Sequence, residues 1–225
     1  DSEIRGLLAA LPDVAVVDEF NAYTGVPALE LLRQYHAAIV ITNTAPADPA
    51  GIGNVLADYA DEGGGVVLTV ASFISGWNIS GRLLTGGYFP FTLGSGPVAG
   101  STLGSYDPAH LIMRGVTTLW GDLLGQLAPA PGAQLVASYV NGLPLVATQG
   151  QRVVGINLFF GSSGFWTGDV PTMLRNAVRW SGGATWLSAS PTQGIVPAGT
   201  NVDITATFDA TGLFGGDYDA AVVVE

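Results

Sequence analysis

Up to about residue 183 the chain alternates short, continuously apolar runs with stretches of helical period, and beyond that point the period becomes two. Runs such as AAIVIT at 37–42 and VVLTV at 66–70 lack polar alternation, so they predict strands buried on both faces, as a parallel sheet requires. The spacing predicts helix Ser2–Leu11, strand Val14–Val17, helix Pro27–Gln34, strand Ala37–Thr42, helix Pro49–Glu62 and strand Gly65–Val70. Pro27 and Pro49 take first-turn positions, and Gly63 is a stop signal. Residues 86–104, rich in Gly, Ser, Thr and Pro, read as a long loop. Leu135–Val140, Pro144–Thr148 and Val153–Asn157 read as paired strands, and Val170–Trp180 as a helix. This order predicts an α/β fold with a flavodoxin-like, doubly wound and mainly parallel sheet.

The tail follows another rule. WLSASP, NVDITATF and DYDAAVVVE alternate like half-buried antiparallel strands, separated by the turn-rich stretches PTQGIVPAGT and DATGLFGG. With Ser181-Gly182-Gly183 as linker, the chain divides into an α/β domain over 1–181 and a small all-β segment over 184–225. Three or four strands fall short of the roughly seven of a sandwich. The α/β part also opens on a helix where a doubly wound sheet opens on its central strand. Both ends are therefore expected to be completed, either by covalently attached chain or by strands donated between subunits.

Composition narrows the function classes. Of 225 residues 48% are hydrophobic, enough for a real core, but only 11% are charged against a norm of about 25%. Glycine, at 32 residues, has about twice its usual share, so small polar residues must cover the surface. The expectation is a secreted or assembling protein, extracellular or at the cell surface, and the start at Asp1 without Met suits a processed or excised segment. The net charge is −11 and all seven basic residues are arginines, which excludes nucleic acid as a main partner. Absence of Cys removes thiolate nucleophiles and sulfur metal sites, and no run of 18 apolar residues predicts membrane insertion.

Several segments carry a family resemblance: LADYADEGGGVVLTV at 56–70, HLIMRGV at 110–116, QRVVGINLFFG at 151–161 and MLRNAVRWSGG at 173–183. Through them residues 13–181 resemble the class I glutamine amidotransferase superfamily, in its trehalose-utilisation-like branch. WLSASPTQGIVPAGT and FDATGLFGGDYDAAV make the tail similar to part of a bacterial immunoglobulin-like repeat. The resemblance implies a nucleophile elbow after the strand at 66–70, where the family holds Cys, and a later Gly-x-Gln-Phe-His-Pro-Glu pattern supplying base and carboxylate. This chain has Ala71-Ser72 at the elbow, and in the later motif Phe159 stands for the His and Gly161 for the Glu. A serine without an imidazole to take its proton is a very poor nucleophile, so no catalytic set is expected.

Other chemistry has candidates. Ser72 and His110 are the residues from which a hydrolase could be built, with Asp107, Asp122 or Asp169 to orient the imidazole; His36, the other histidine, precedes a strand and reads as packing or capping. Asp58, Asp61 and Glu62 on one helix, and Asp217 with Asp219 in the tail, read as solvated faces. Asp18, Glu19 and Asn21 come nearest to a calcium loop without forming one, so neither metal nor cofactor is predicted. Trp77, Asn78, Tyr88, Phe159, Phe160 and Trp166 fall in segments beyond strand ends that should share the carboxyl edge, where such folds hold ligands. With Phe89, Phe91 and Phe165 they either plug that edge as core or form an aromatic platform for glycans, and Asn78-Ile79-Ser80 is also a glycosylation sequon. The reading that follows is a non-catalytic extracellular binding or assembly module of a bacterial secreted or surface protein. Its partners would be further copies of itself, other surface proteins or glycans. The alternative is a hydrolase of carbohydrate or ester substrates acting through Ser72 or His110.

Overall fold

The structure, a computed structural model, describes residues 2–11, 14–150, 152–183, 187–191, 193–208 and 222. Helix α1 (Ser2–Ala9) buries Ile4 and Leu8. No strand follows it: across Val14–Val17 the chain is irregular, and Val16 is 62% exposed. That expected strand fails because β-formers need a neighbour to bond to, and the described structure offers these four none. Helix α2 (Leu29–Leu32) is a single turn inside the predicted Pro27–Gln34, and β1 (Ala37–Val40) comes next. Helix α3 (Pro49–Asp61) starts as the sequence indicates, with Pro49 in its first turn and the Asp48 carboxylate accepting from the Gly51 N–H at 2.8 Å. Strand β2 (Gly65–Thr69) is buried throughout and runs into a tight 3₁₀ turn at Val70–Phe73.

Beyond the short helix α4 (Gly81–Thr85), the predicted loop at 86–104 holds two strands, β3 (Ser95–Val98) and β4 (Ser101–Tyr106). The misreading has a physical cause. A Cβ at Gly104 would lie 2.6 Å from the Tyr139 backbone, and one at Gly94 only 2.1 Å from the Gln126 carbonyl oxygen. These glycines are there because backbones approach closely, which composition alone does not separate from loop. Two short strands, β5 (Leu119–Gly121) and β6 (Leu124–Gln126), precede the expected set of β7 (Gln134–Tyr139), β8 (Pro144–Gln149) and β9 (Val153–Ile156). The unforeseen β10 (Trp166–Gly168) leads into helix α5 (Val170–Gly182), which was expected.

The main sheet has the order β1-β2-β9-β8-β7-β4-β5-β10. Only β1, β2 and β9 run parallel; every later neighbour pair is antiparallel. The fold is α/β with a flavodoxin-like parallel core, and the arrangement expected for most of the sheet is confined to these three strands. The physical reason is connection length. The hairpin β7–β8, closed by Asn141-Gly142 with Gly142 at φ 85°, and the short β8–β9 link allow only antiparallel neighbours. Period-two alternation divides the core: Val67, Val154 and Ile156 face a layer with α1 and α5, while Val66, Leu68 and Val153 face α3.

The chain separates into two compact units, Asp1–Gly183 and Ala184–Glu225. In the second, β11 (Leu187–Ser190) pairs antiparallel with β12 (Thr205–Phe208). Trp186, Asp217, Asp219 and nearly all of the strand expected at 218–225 lie outside the described residues, and with them the proposed strand donor for self-association. Among the described residues no helix is long and apolar enough to cross a membrane.

Asn157, immediately after β9, is fully buried and fully bonded. Its Oδ1 accepts from the Gly125 N–H at 2.7 Å, while Nδ2 donates to the Gly125 and Pro144 carbonyls, each at 2.9 Å. Asn157→Ala leaves one buried N–H and two buried carbonyls short of a partner, so a loss of about 3 kcal/mol or more is expected in urea denaturation. A loss below about 1 kcal/mol would show that the amide does not carry this junction.

Candidate functional site

The elbow lies where the resemblance puts it, at the carboxyl end of β2, but it is closed. The Thr69 hydroxyl donates to the Val40 carbonyl at 2.8 Å and so fastens the ends of β1 and β2 together. All four residues of the 3₁₀ turn are buried; Ser72 has no exposed surface, and its Oγ has no hydrogen-bond partner among the described residues. Phe73 packs edge-on against Phe89 and Phe91, with centroids 5.1 Å away in both pairs. Those two rings are core. A Cβ at Gly155 would lie 2.8 Å from the Phe91 ring, so glycine on β9 is what lets the ring in.

Neither histidine reaches Ser72. His36 directly precedes β1, and its carbonyl accepts the N–H of Gly65, the first residue of β2. The last turn of α5 packs here too, since a Cβ on Gly65 would meet the Ser181 backbone at 2.5 Å. His110 stacks on Trp180 of that turn at 5.6 Å between centroids, and its Nδ1 accepts from the Ile112 N–H. Both imidazoles therefore sit at the amino edge of the parallel strands, while Ser72 lies past the carboxyl edge. Four residue steps along β2, at about 3.3 Å each, put roughly 13 Å between the edges. None of the carboxylates proposed to orient His110 bonds its imidazole among the described residues. Asp122 accepts from the Leu123 N–H, and Asp107 from the Ala109 N–H. Asp169 Oδ2 accepts from the backbone and hydroxyls of Thr117 and Thr118, which hold its carboxyl below the usual carboxylate range.

In the segment after β9, Phe159 and Gly161 fit one another. A Cβ on Gly161 would lie 2.2 Å from the Phe159 ring, so that ring occupies the space any larger side chain at 161 would need. Phe159 also meets Phe165 edge-on at 5.2 Å. Of the other residues expected to bind ligand, Phe160 and Trp166 are buried in the core beside α5. Tyr88 donates to Asp61, which with Asp58 binds Arg82, so these carboxylates join α3 to α4 instead of facing solvent alone. The Asn78 amide donates to the Ile79 carbonyl at 2.8 Å.

Trp77 and Phe159 do come together. They line a cavity of about 160 Å³ with Asn43 beyond β1, Val70 and Ala71 at the elbow, and Leu123 between β5 and β6. Apart from Asn43 and the indole N–H of Trp77, the lining side chains are apolar. Trp77 remains 41% exposed. Leu123 has φ 52°, and it is the one non-glycine residue with positive φ among those described. Strain of this kind collects at ligand sites. Sequence reasoning missed Asn43 and Leu123. A polar residue just past the carboxyl end of an apolar strand was a usable signal for Asn43; nothing local marked Leu123. Among the described residues no three His, Asp or Glu side chains converge as a metal site.

No family model and no curated protein sequence matches the chain. Solved structures resemble it in fold. A Salmonella typhimurium protein described as cytoplasmic is 14% identical, with a TM-score of 0.54 over 70% of this chain and 76% of that one. A second cytoplasmic protein from Salmonella typhimurium LT2 is 17% identical, covering 68% and 72% at a TM-score of 0.48. A ThuA-like protein from Parabacteroides merdae is 13% identical, covering 95% and 93% at a TM-score of 0.49. At these identities the likeness is one of fold. The expectation of an extracellular or cell-surface protein is corrected, because the neighbour at TM-score 0.54 is described as cytoplasmic.

Two outcomes follow for the edges. Ser72→Ala removes a buried hydroxyl that gains nothing from its surroundings, so stability should hold or rise by about 1 kcal/mol in thermal or urea unfolding. A clear loss would mean that the hydroxyl is bonded in solution. Burial holds the His110 imidazole below its usual value of 6.5, against a smaller opposing effect from Asp107. The unfolded chain therefore takes up this proton at higher pH than the folded one, and stability should fall as pH drops below about 6.5. His110→Asn should flatten the pH dependence of the unfolding midpoint just below that value, and an unchanged slope would contradict the assignment.

Proposed function

We propose that the protein is a non-catalytic binding module whose ligand site is the apolar cavity beyond the carboxyl ends of β1 and β2. The observation that carries this reading is the separation of the groups a hydrolase would have to join. Ser72 lies buried past one end of β2, and both imidazoles lie at the other end. A serine hydroxyl without a base within hydrogen-bond reach does not attack carbonyl or glycosidic carbon at a useful rate. The cavity occupies the place where open α/β sheets hold ligands, and Trp77 gives it an exposed aromatic wall.

Two finer assignments belong to the same reading. The first unit is an amidotransferase-like domain of the trehalose-utilisation-like branch whose triad has been replaced, with Ala71-Ser72 at the elbow and Phe159 and Gly161 in the second motif. The mutual fit of Phe159 and Gly161 supports it, because restoring the acidic side chain would require moving the ring. The second unit is part of an immunoglobulin-like repeat, which its antiparallel pair β11–β12 supports.

The enzymatic alternative is tested with nitrophenyl acetate and nitrophenyl glucoside. Wild type, Ser72→Ala and His110→Ala are expected to give the same background hydrolysis. A rate that drops tenfold or more in either variant would overturn the non-catalytic reading.

A further inference from the structure

We infer that the cavity takes a neutral, largely apolar six-membered ring carrying one hydrogen-bond acceptor, with the ring against Trp77 and Phe159 and the acceptor on Asn43 Nδ2. This rests on the reading of the cavity as the ligand site, and it goes further by specifying the ligand.

Size comes first. An apolar cavity of about 150 Å³ accepts one benzene ring, and this one, open to solvent beside Trp77, is about 160 Å³. Charge comes second. No ionisable side chain lines the cavity, so a carboxylate or ammonium would lose its hydration and find no counter-charge. Polarity comes third. Besides the Trp77 indole N–H, Asn43 supplies the one polar side chain of the lining, and its orientation is set by the proton count at Tyr23. The Asn43 backbone N–H donates to the Tyr23 hydroxyl oxygen at 3.1 Å, so the hydroxyl proton is directed elsewhere. It goes to Asn43 Oδ1 at 2.9 Å. The amide therefore turns Nδ2, a donor, toward whatever else it meets, and the complementary ligand group is an acceptor. A saccharide of this size carries a hydroxyl on nearly every ring carbon, and one amide leaves most of them unpaired. Leu123 forms part of the wall in a left-handed backbone conformation secured by the bond from its N–H to Asp122 at 2.8 Å, so the cavity is shaped before the ligand arrives.

The test uses the full chain and four probes: acetophenone, its near-isostere α-methylstyrene, benzoate and glucose. The Trp77 indole N–H resonance, assigned with Trp77→Phe, reports binding. Acetophenone is expected to bind about fivefold more tightly than α-methylstyrene, the value of one neutral hydrogen bond. Benzoate and glucose should leave the resonance unmoved. Asn43→Ala, at an exposed position, should equalise the two aromatic probes, and Trp77→Ala should weaken both. Glucose or benzoate binding in place of acetophenone, or equal affinity for the two aromatic probes in wild type, overturns the ligand assignment and leaves the binding module standing. If no probe binds at millimolar concentration, both readings fall.

Discussion

The side-chain amide of Asn157 is the joint on which the rest of the first unit depends. The parallel core ends at β9, and the chain there must bond to segments that run in other directions. Asn157 does this with one buried amide, accepting from Gly125 and donating to Gly125 and Pro144. The Tyr139 hydroxyl adds a bond to the Asn157 carbonyl at 2.9 Å, which brings β7 into the same joint. In the interior every such group must be paired, and this junction pairs all of them within one side chain's reach. The consequence extends to the cavity. Gly125 belongs to β6, which lies outside the main sheet, and the residues just before it, Leu123 and Leu124, line the cavity. The amide therefore holds that wall over the elbow.

The same packing explains why the elbow is closed to solvent. Phe73, Phe89 and Phe91 fill the space beneath the turn, and Gly155 on β9 exists to admit the last of them. The Ser72 hydroxyl is left with no exposed surface and, among the described residues, no hydrogen-bond partner. A nucleophile needs both access and a base, and the fold has used the surrounding volume for aromatic packing. Phe159 and Gly161 repeat this on the neighbouring segment, where the ring fills the space a side chain at 161 would need. What remains open is the shallow apolar space between Trp77 and Phe159, with a polar group only at its edge.

Much of this architecture was legible along the chain because its cues are local. Pro49 and Gly63 bracket α3 as first-turn and stop signals, the run VVLTV at 66–70 reads as a strand buried on both faces, and the runs at 135–140 and 144–148 read as paired strands. That Phe159 and Gly161 bring neither imidazole nor carboxylate to the segment after β9, and that the chain has no cysteine, were matters of residue type and needed no coordinates. What only the tertiary structure decided depends on partners far away in sequence. Val14–Val17 has the composition of a strand and forms none for lack of a neighbour. The glycine-rich stretch at 94–104 reads as loop and contains strands because β5, β6 and β7 approach its backbone closely. The positions of the histidines at the wrong edge, and the meeting of Asn43, Trp77, Leu123 and Phe159 around one cavity, follow from the order β1-β2-β9 and the Asn157 joint. Periodicity and capping act within a few residues and can be read directly, whereas a cavity is made by segments more than a hundred residues apart whose proximity no local pattern encodes.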